Sequence, residues 1–196
     1  MKGIDVSYCQ GMLSQEWFEQ VKAQGIEFVI CKLGLDAGED ETFRNNFFNA
    51  YNAGLKTGIY VYGTARNYQE AVDEANWTIA KLKEIGIINM HIPMGIWYDW
   101  ELFNSGLSAE VITDVMVNFY EALKNYGIDK VGIYSGYSLL WDETYLYSRH
   151  SEIPIWCAQY GSRQCDYPNA EIWQYSSDEI INGVNCDTNI TLEVRD

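Results

Sequence analysis

Asp99 and Glu101 stand two residues apart in Gly95-Ile96-Trp97-Tyr98-Asp99-Trp100-Glu101, a run without positive charge that leads into Leu102-Phe103-Asn104-Ser105-Gly106. Its aromatic and β-branched residues predict a strand, and the Asn-Ser-Gly cluster ends it. Alternate residues of a strand share a face, so Trp97, Asp99 and Glu101 point one way and Ile96, Tyr98 and Trp100 the other. The two carboxyl groups then lie about 6–7 Å apart by strand rise. Taken alone this is a weak signal, since one acid capping a helix and the other solvated would explain it. Crowded and desolvated, the same pair changes character: like charges cannot all ionise cheaply, so one pKa rises. A protonated acid that can donate, beside an ionised partner that can support positive charge, is the equipment of glycosidic bond cleavage.

Such a pair needs elements to aim it, and the chain supplies strand and helix signals in alternation. Strands are predicted over 3–8, 28–33, 56–62, 95–101 and 130–135. Between them lie amphipathic helices: one capped by Ser14 and stopped at Gly25, one over 43–53, one over 68–85, and one capped by Ser108 and stopped at Gly127. Beyond residue 135 the helical signal fades, and 153–160, 172–175 and 184–187 read as strands joined by loops or short hairpins. Successive βα units argue for a parallel sheet with right-handed crossovers, and eight strands argue for closure. The chain, at 196 residues, is shorter than the ~250 of a full eight-helix barrel. The expected architecture is therefore α/β: a single abbreviated (β/α) TIM-like barrel of eight strands and about five helices, the later helices missing, occupying 1–196 as one domain.

In such barrels chemistry sits where strands end and the following loops begin. Asp5 lies in strand one, Lys32 closes strand two, and Tyr60 and Tyr62 share a face near the end of strand three. Asp99 and Glu101 end strand four and Tyr134 ends strand five. Trp156 and Tyr160 belong to strand six, Gln174 to strand seven, and Asp187 follows strand eight. Four acids, one lysine and several aromatics thus converge on one mouth. The catalytic set is expected to be Glu101, Asp99, Asp5 and Asp187, with Lys32, Tyr60, Tyr62, Tyr134, Trp156 and Gln174 toward substrate. His91 and His150 fall away from the strand ends, which excludes a Ser-His-Asp set there. Gly34-Leu35-Asp36-Ala37-Gly38 lacks the Lys-Ser/Thr of a phosphate loop.

Composition narrows the partners. The formal charge is −15, from 28 acids against 13 bases, which argues against nucleic acid and anionic membranes. Aromatic residues make up 15%, including 15 Tyr and 7 Trp, more than a core needs, and stacking on sugar rings is one use for the surplus. Cys9, Cys31, Cys157, Cys165 and Cys186 match no zinc spacing, so no metal or other cofactor is expected. Free thiols in a reducing compartment are the default, with Cys157 and Cys165 able to pair across a loop if oxidised. No apolar stretch approaches 18 residues, and Met1-Lys2-Gly3-Ile4-Asp5 runs into a strand without a signal peptide. Synthesis in a cytosol, no membrane insertion and a monomeric state are expected.

The residues also carry a family resemblance. Gly3-Ile4-Asp5-Val6-Ser7 with Gln10-Gly11, Gly25-Ile26-Glu27-Phe28-Val29 with Lys32, Ala53-Gly54-Leu55 with Gly58-Ile59-Tyr60, and Asp99-x-Glu101 occur in order. Gly132-Ile133-Tyr134, Pro154-Ile155-Trp156 with Ala158-x-Tyr160, Trp173-Gln174-Tyr175-Ser176, and Gly183 leading to Asp187-x-Asn189 follow. The ordered set resembles the glycoside hydrolase family 25 lysozymes, which cleave the N-acetylmuramic acid to N-acetylglucosamine bond of bacterial peptidoglycan. The resemblance implies Glu101 as general acid, Asp99 as the carboxylate assisting the substrate acetamido group, and Asp5 and Asp187 completing an acidic floor. It also implies a phage endolysin-like enzyme that acts on the wall after release from the cytosol. Where the family often shows Tyr-His-Phe, this chain has Tyr60-Val61-Tyr62. A silent glycan-binding barrel that tolerates loss of Glu101, and a chitinase-like glycosidase, are the competing readings.

Overall fold

The structure, a computed structural model, describes residues 1–34 and 38–193; the rest of the Gly34–Gly38 segment, where a phosphate loop was excluded on sequence, lies outside them. Eight strands close into a barrel in chain order. They are β1 (Lys2–Val6), β2 (Phe28–Gly34), β3 (Lys56–Gly63), β4 (Ile96–Trp100), β5 (Val131–Gly136), β6 (Ile155–Ala158), β7 (Ala170–Ile181) and β8 (Val184–Thr191). The first seven pair in parallel, while β8 runs antiparallel to both β7 and β1.

Long helices cover the first half. α1 (Gln15–Ala23), α2 (Phe43–Asn52), α3 (Tyr68–Ile85) and α4 (Ala109–Tyr126) follow the first four strands. Ser14, Asn67 and Ser108 cap α1, α3 and α4 by accepting a hydrogen bond from a backbone N–H. Between β5 and β6 lie two short helices, α5 (Tyr137–Asp142) and α6 (Leu146–Arg149), which makes six α-helices among the described residues against about five expected.

Five strands differ from the expectation in ways that bear on the site. β1 stops at Val6 rather than residue 8, because the Ser7 hydroxyl accepts from Cys9 N–H and opens a 3₁₀ turn over Tyr8–Gln10. β4 ends at Trp100, so Glu101 is the first residue beyond the strand. β6 ends at Ala158, so Tyr160 lies past the strand in which it was expected. The last two strands are much longer than expected and form one hairpin, which puts Asp187 within β8 instead of after it. Its turn is Asn182-Gly183 with φ of +46° and +81°, the left-handed pair that a two-residue hairpin requires. Ser176-Ser177-Asp178-Glu179 reads as loop by composition, yet it continues the hairpin through two irregularities in register.

The two faces of the sheet bury different cores. Outward-facing Ile4, Val29, Ile59, Tyr98 and Ile133 pack under the helices with Phe18, Phe47, Val115 and Phe119. Inside the barrel, Phe28, Ile30, Met94, Trp97, Trp156 and Ile172 fill the space. Such large rings leave no room for neighbours: a Cβ on Gly3 would fall 2.4 Å from the Phe28 ring, and one on Gly132 would fall 2.4 Å from Trp97. Trp97, expected one layer below the acids as core, is fully buried there.

Candidate active site

Above that packed floor the inward positions turn polar. In the β1–β8 pairing Asp5 lies directly opposite Asp187, a placement that brings Cβ atoms to about 5 Å. Asp99 on β4 is flanked in register by Tyr62 of β3 and Tyr134 of β5. Parallel registration thus carries residues distant in sequence to one level, where strands hand over to loops.

Gln174, from β7, ties the level together. Its Nε2 donates to Asp5 Oδ2 at 2.9 Å and to Asp187 Oδ2 at 3.3 Å. Its Oε1 accepts from the hydroxyls of Tyr134 at 2.8 Å and Tyr160 at 2.5 Å. Two donor hydrogens and two lone pairs are all that a glutamine amide has, so every position is occupied. Asn189 extends the chain of bonds: its Nδ2 donates to Asp5 Oδ2 at 2.8 Å, and its Oδ1 accepts from Trp156 Nε1 at 2.8 Å. Trp156 in turn packs against Tyr134, Tyr60 and Trp97 at ring separations of 4.4, 6.2 and 6.0 Å.

The acids raise one another. Burial pushes the Asp5 carboxyl from an ordinary 3.8 to about 6, against the pull of hydrogen bonds from Asn189 and Gln174, and the Glu101 charge adds to the rise. Asp187 is pushed up to about 7 by burial and then by Asp5. Glu101 is raised by burial and by Asp187. Asp99 is raised well above the ordinary carboxyl range, through burial first and Glu101 second, with Lys32 opposing and Asp5 reinforcing. Its Oδ1 is buried without a hydrogen-bond partner, a condition costly for a carboxylate unless it is protonated or meets a donor.

Lys32 is the cation among them. Its ammonium lies 5.5, 6.0 and 5.0 Å from the ring centroids of Tyr8, Tyr60 and Tyr62, within cation–π reach. Tyr8 is 58% exposed and marks the rim. All ten residues expected in the site therefore lie around this mouth, although Trp156 and Gln174 are at most 1% exposed and sit beneath its surface. Asn189 and Tyr160 belong to the network; the sequence placed Tyr160 at the mouth and both residues in the family pattern, but neither was expected in the catalytic or substrate set. The signal for Asn189 was its period-2 relation to Asp187 on one strand face. Chemically, four crowded carboxyl groups can hold at least one proton near neutrality and donate it, while an aromatic wall excludes water.

Known proteins can be set beside this geometry. The family model for glycosyl hydrolases family 25 matches residues 4–184. An autolytic lysozyme of Clostridium acetobutylicum is 30% identical over 188 residues, covering 94% of this chain and 53% of that protein. Lysozyme M1 of Streptomyces globisporus is 28% identical over 203 residues, covering 95% of this chain and 65% of the relative. The chain therefore spans about half to two thirds of the length of these curated relatives. The modular autolysin LytC of Streptococcus pneumoniae, also solved with a synthetic peptidoglycan ligand, superposes with a TM-score of 0.79 at 27% identity. That match covers 96% of this chain and 46% of LytC.

Proposed function

The chain belongs to glycosyl hydrolase family 25, and from that premise we propose that it is a peptidoglycan-cleaving lysozyme whose 1–196 barrel carries the chemistry. The bond cut is the β-1,4 link from N-acetylmuramic acid to N-acetylglucosamine in the bacterial wall. The observation that supports this reading most is the convergence of Asp5, Asp99, Glu101 and Asp187 in one desolvated mouth, each pushed upward by burial and by at least one neighbouring acid. The lysozymes and autolysin among its relatives point to the same substrate.

In this mechanism Glu101, kept protonated by its surroundings, donates to the glycosidic oxygen as positive charge develops on the sugar. Asp99 presents its unpartnered oxygen to the substrate acetamido N–H, which turns the acetamido oxygen toward the anomeric carbon as internal nucleophile. Water, giving up a proton to the now ionised Glu101, then attacks the anomeric carbon of the resulting oxazolinium from the side the leaving sugar vacated, which breaks the bond to the acetamido oxygen, restores the acid and gives net retention. Lys32 opposes the rise of the Asp99 pKa and so favours its ionised form. Tyr60, Tyr62 and Tyr134 face the sugar, and Gln174 and Asn189 hold Asp5 and Asp187 in place without touching it.

Digestion of purified peptidoglycan, with mass analysis of the reduced products, tests the assignment. A reducing-end muramic acid is expected from the wild type, and Glu101→Gln should lower the rate by about 10²–10⁴ with the fold intact. A reducing-end glucosamine, or equal rates for the two proteins, overturns the reading. A first-formed product with inverted anomeric configuration overturns the acetamido step alone.

A further inference from the structure

A line of aromatic side chains leaves the mouth and runs down the outside of the barrel. Phe103, two residues beyond Glu101, is 50% exposed. Its ring tip lies over Gly136, where an added Cβ would sit 3.3 Å from it. Gly136 ends β5 and caps α5, the helix that carries Tyr137 and Trp141. Four-residue spacing puts these two rings on one helical face. They are nearly parallel, 7° apart with centroids 6.3 Å from each other. The helix is anchored through Leu139 and Leu140, both buried; Tyr137 is half-buried with one side against the core, and Trp141 stands further out.

Trp141 is 46% exposed yet not loosely held. Tyr147 backs it at 5.7 Å, and Tyr167 meets it edge-on at 6.3 Å and 89°. Tyr167 is itself only 4% exposed, so the indole leans on a fixed support. A large aromatic surface held rigid at the exterior carries little ordering cost when something stacks on it. It also signals an interaction site more than a packing need.

The chemistry of the rings selects among polymers. An aromatic face carries the negative side of a quadrupole, which attracts the weakly positive C–H groups on the flat face of a pyranose. Nucleobases would also stack, but their phosphate backbone meets a chain of net charge −15 and is repelled. A wall glycan carries no phosphate in its backbone, and the lactyl carboxyl group of every second sugar is a substituent beside the ring, so the flat ring faces can approach the aromatic strip with less repulsion. The strip begins at Phe103, beside the proposed acid, so a glycan engaged in the mouth needs no break to reach it.

We propose that Phe103, Tyr137 and Trp141 form an outlying saccharide-binding strip that holds the glycan strand several sugars away from the bond being cut. This rests on the reading of the mouth as a glycan-cleaving site. The strip then favours long strands over short fragments.

The test compares uncross-linked glycan strands with a tetrasaccharide of the same repeat, using wild type, Trp141→Ala, Tyr137→Ala and Trp141→Phe. For Trp141→Ala, KM on long strands should rise about five-fold, the equivalent of one lost aromatic contact, with the tetrasaccharide unaffected. Tyr137→Ala should follow it, and Trp141→Phe, which keeps a flat ring, should stay near wild type and so exclude misfolding as the cause. Unchanged kinetics on long strands overturn the strip. So does a self-associated form in sedimentation that Trp141→Ala dissolves while KM stays constant. If wild type cleaves neither substrate, the proposed activity fails, and calorimetry with Glu101→Gln decides separately: strand binding weakened by Trp141→Ala upholds the strip, and no binding heat removes it.

Discussion

A side-chain amide with all four of its hydrogen-bonding positions occupied by protein has nothing left to offer a ligand, and Gln174 is in that condition. Its worth lies in where it holds Asp5 and Asp187. Replacing it by Met, similar in size but unable to bond, should lower kcat by about 10²-fold through misplacement of the acids while KM changes little. Steady-state kinetics on wall fragments separate the two constants, and a rise in KM with kcat preserved would restore Gln174 to direct substrate contact. The acids themselves were legible in sequence, because period-2 alternation and strand ends mark Asp5, Asp99 and Glu101 whatever the exact register. The amide that joins them was not legible as a hub. Its four partners come from β1, β5, β8 and the turn after β6, and only the closed register brings those together.

Elements fix how deeply each group sits. Three glycines, Gly3, Gly58 and Gly132, occupy inward positions low in the barrel, and each faces a side chain that fills the space a Cβ would take. Gly132 is the tightest from two sides, with Trp97 at 2.4 Å and the Pro154 carbonyl oxygen at 2.7 Å from an added Cβ. Gly132→Ala should therefore destabilise the protein by about 1–3 kcal/mol or more through overpacking. Because Trp97 precedes Asp99 by two residues on β4, activity should fall faster than stability does. Thermal melts and turnover measured on the same preparation check this, and an unchanged melt would show that the floor has slack. The strands and long helices were readable from periodicity and caps. The β7–β8 hairpin was read too short, because Ser176-Ser177-Asp178-Glu179 interrupts the alternation with four polar residues and two register irregularities, although Ile181, Val184 and Cys186 beyond them still pack against the core.

For the whole molecule, the raised acids make stability depend on pH with a definite sign. A carboxyl whose pKa is higher in the folded state binds more protons there than in the unfolded chain, so stability falls as pH rises through the interval between the two values. For Asp5 that interval runs from 3.8 to about 6, and for Asp187 from 3.8 to about 7. Asp5 alone withdraws on the order of 3 kcal/mol across it. The surface acids Glu39 and Glu84, lowered by Arg44 and Lys81, act in the opposite sense only at lower pH and under solvent screening. Urea midpoints should therefore decline from about pH 4 to pH 7, and a rising curve over that range would contradict the crowding. The β1–β8 seam has a consequence of another kind. Asp5 receives its bond from Asn189 across a sequence separation of 184, and its opposite number Asp187 lies on the same late strand. A chain still emerging from the ribosome thus carries three of its acids but no finished cavity. The acidic mouth closes only when β8 pairs with β1, so synthesis up to β7 leaves Asp5, Asp99 and Glu101 without Asp187 and without the strand that seals the barrel beside them.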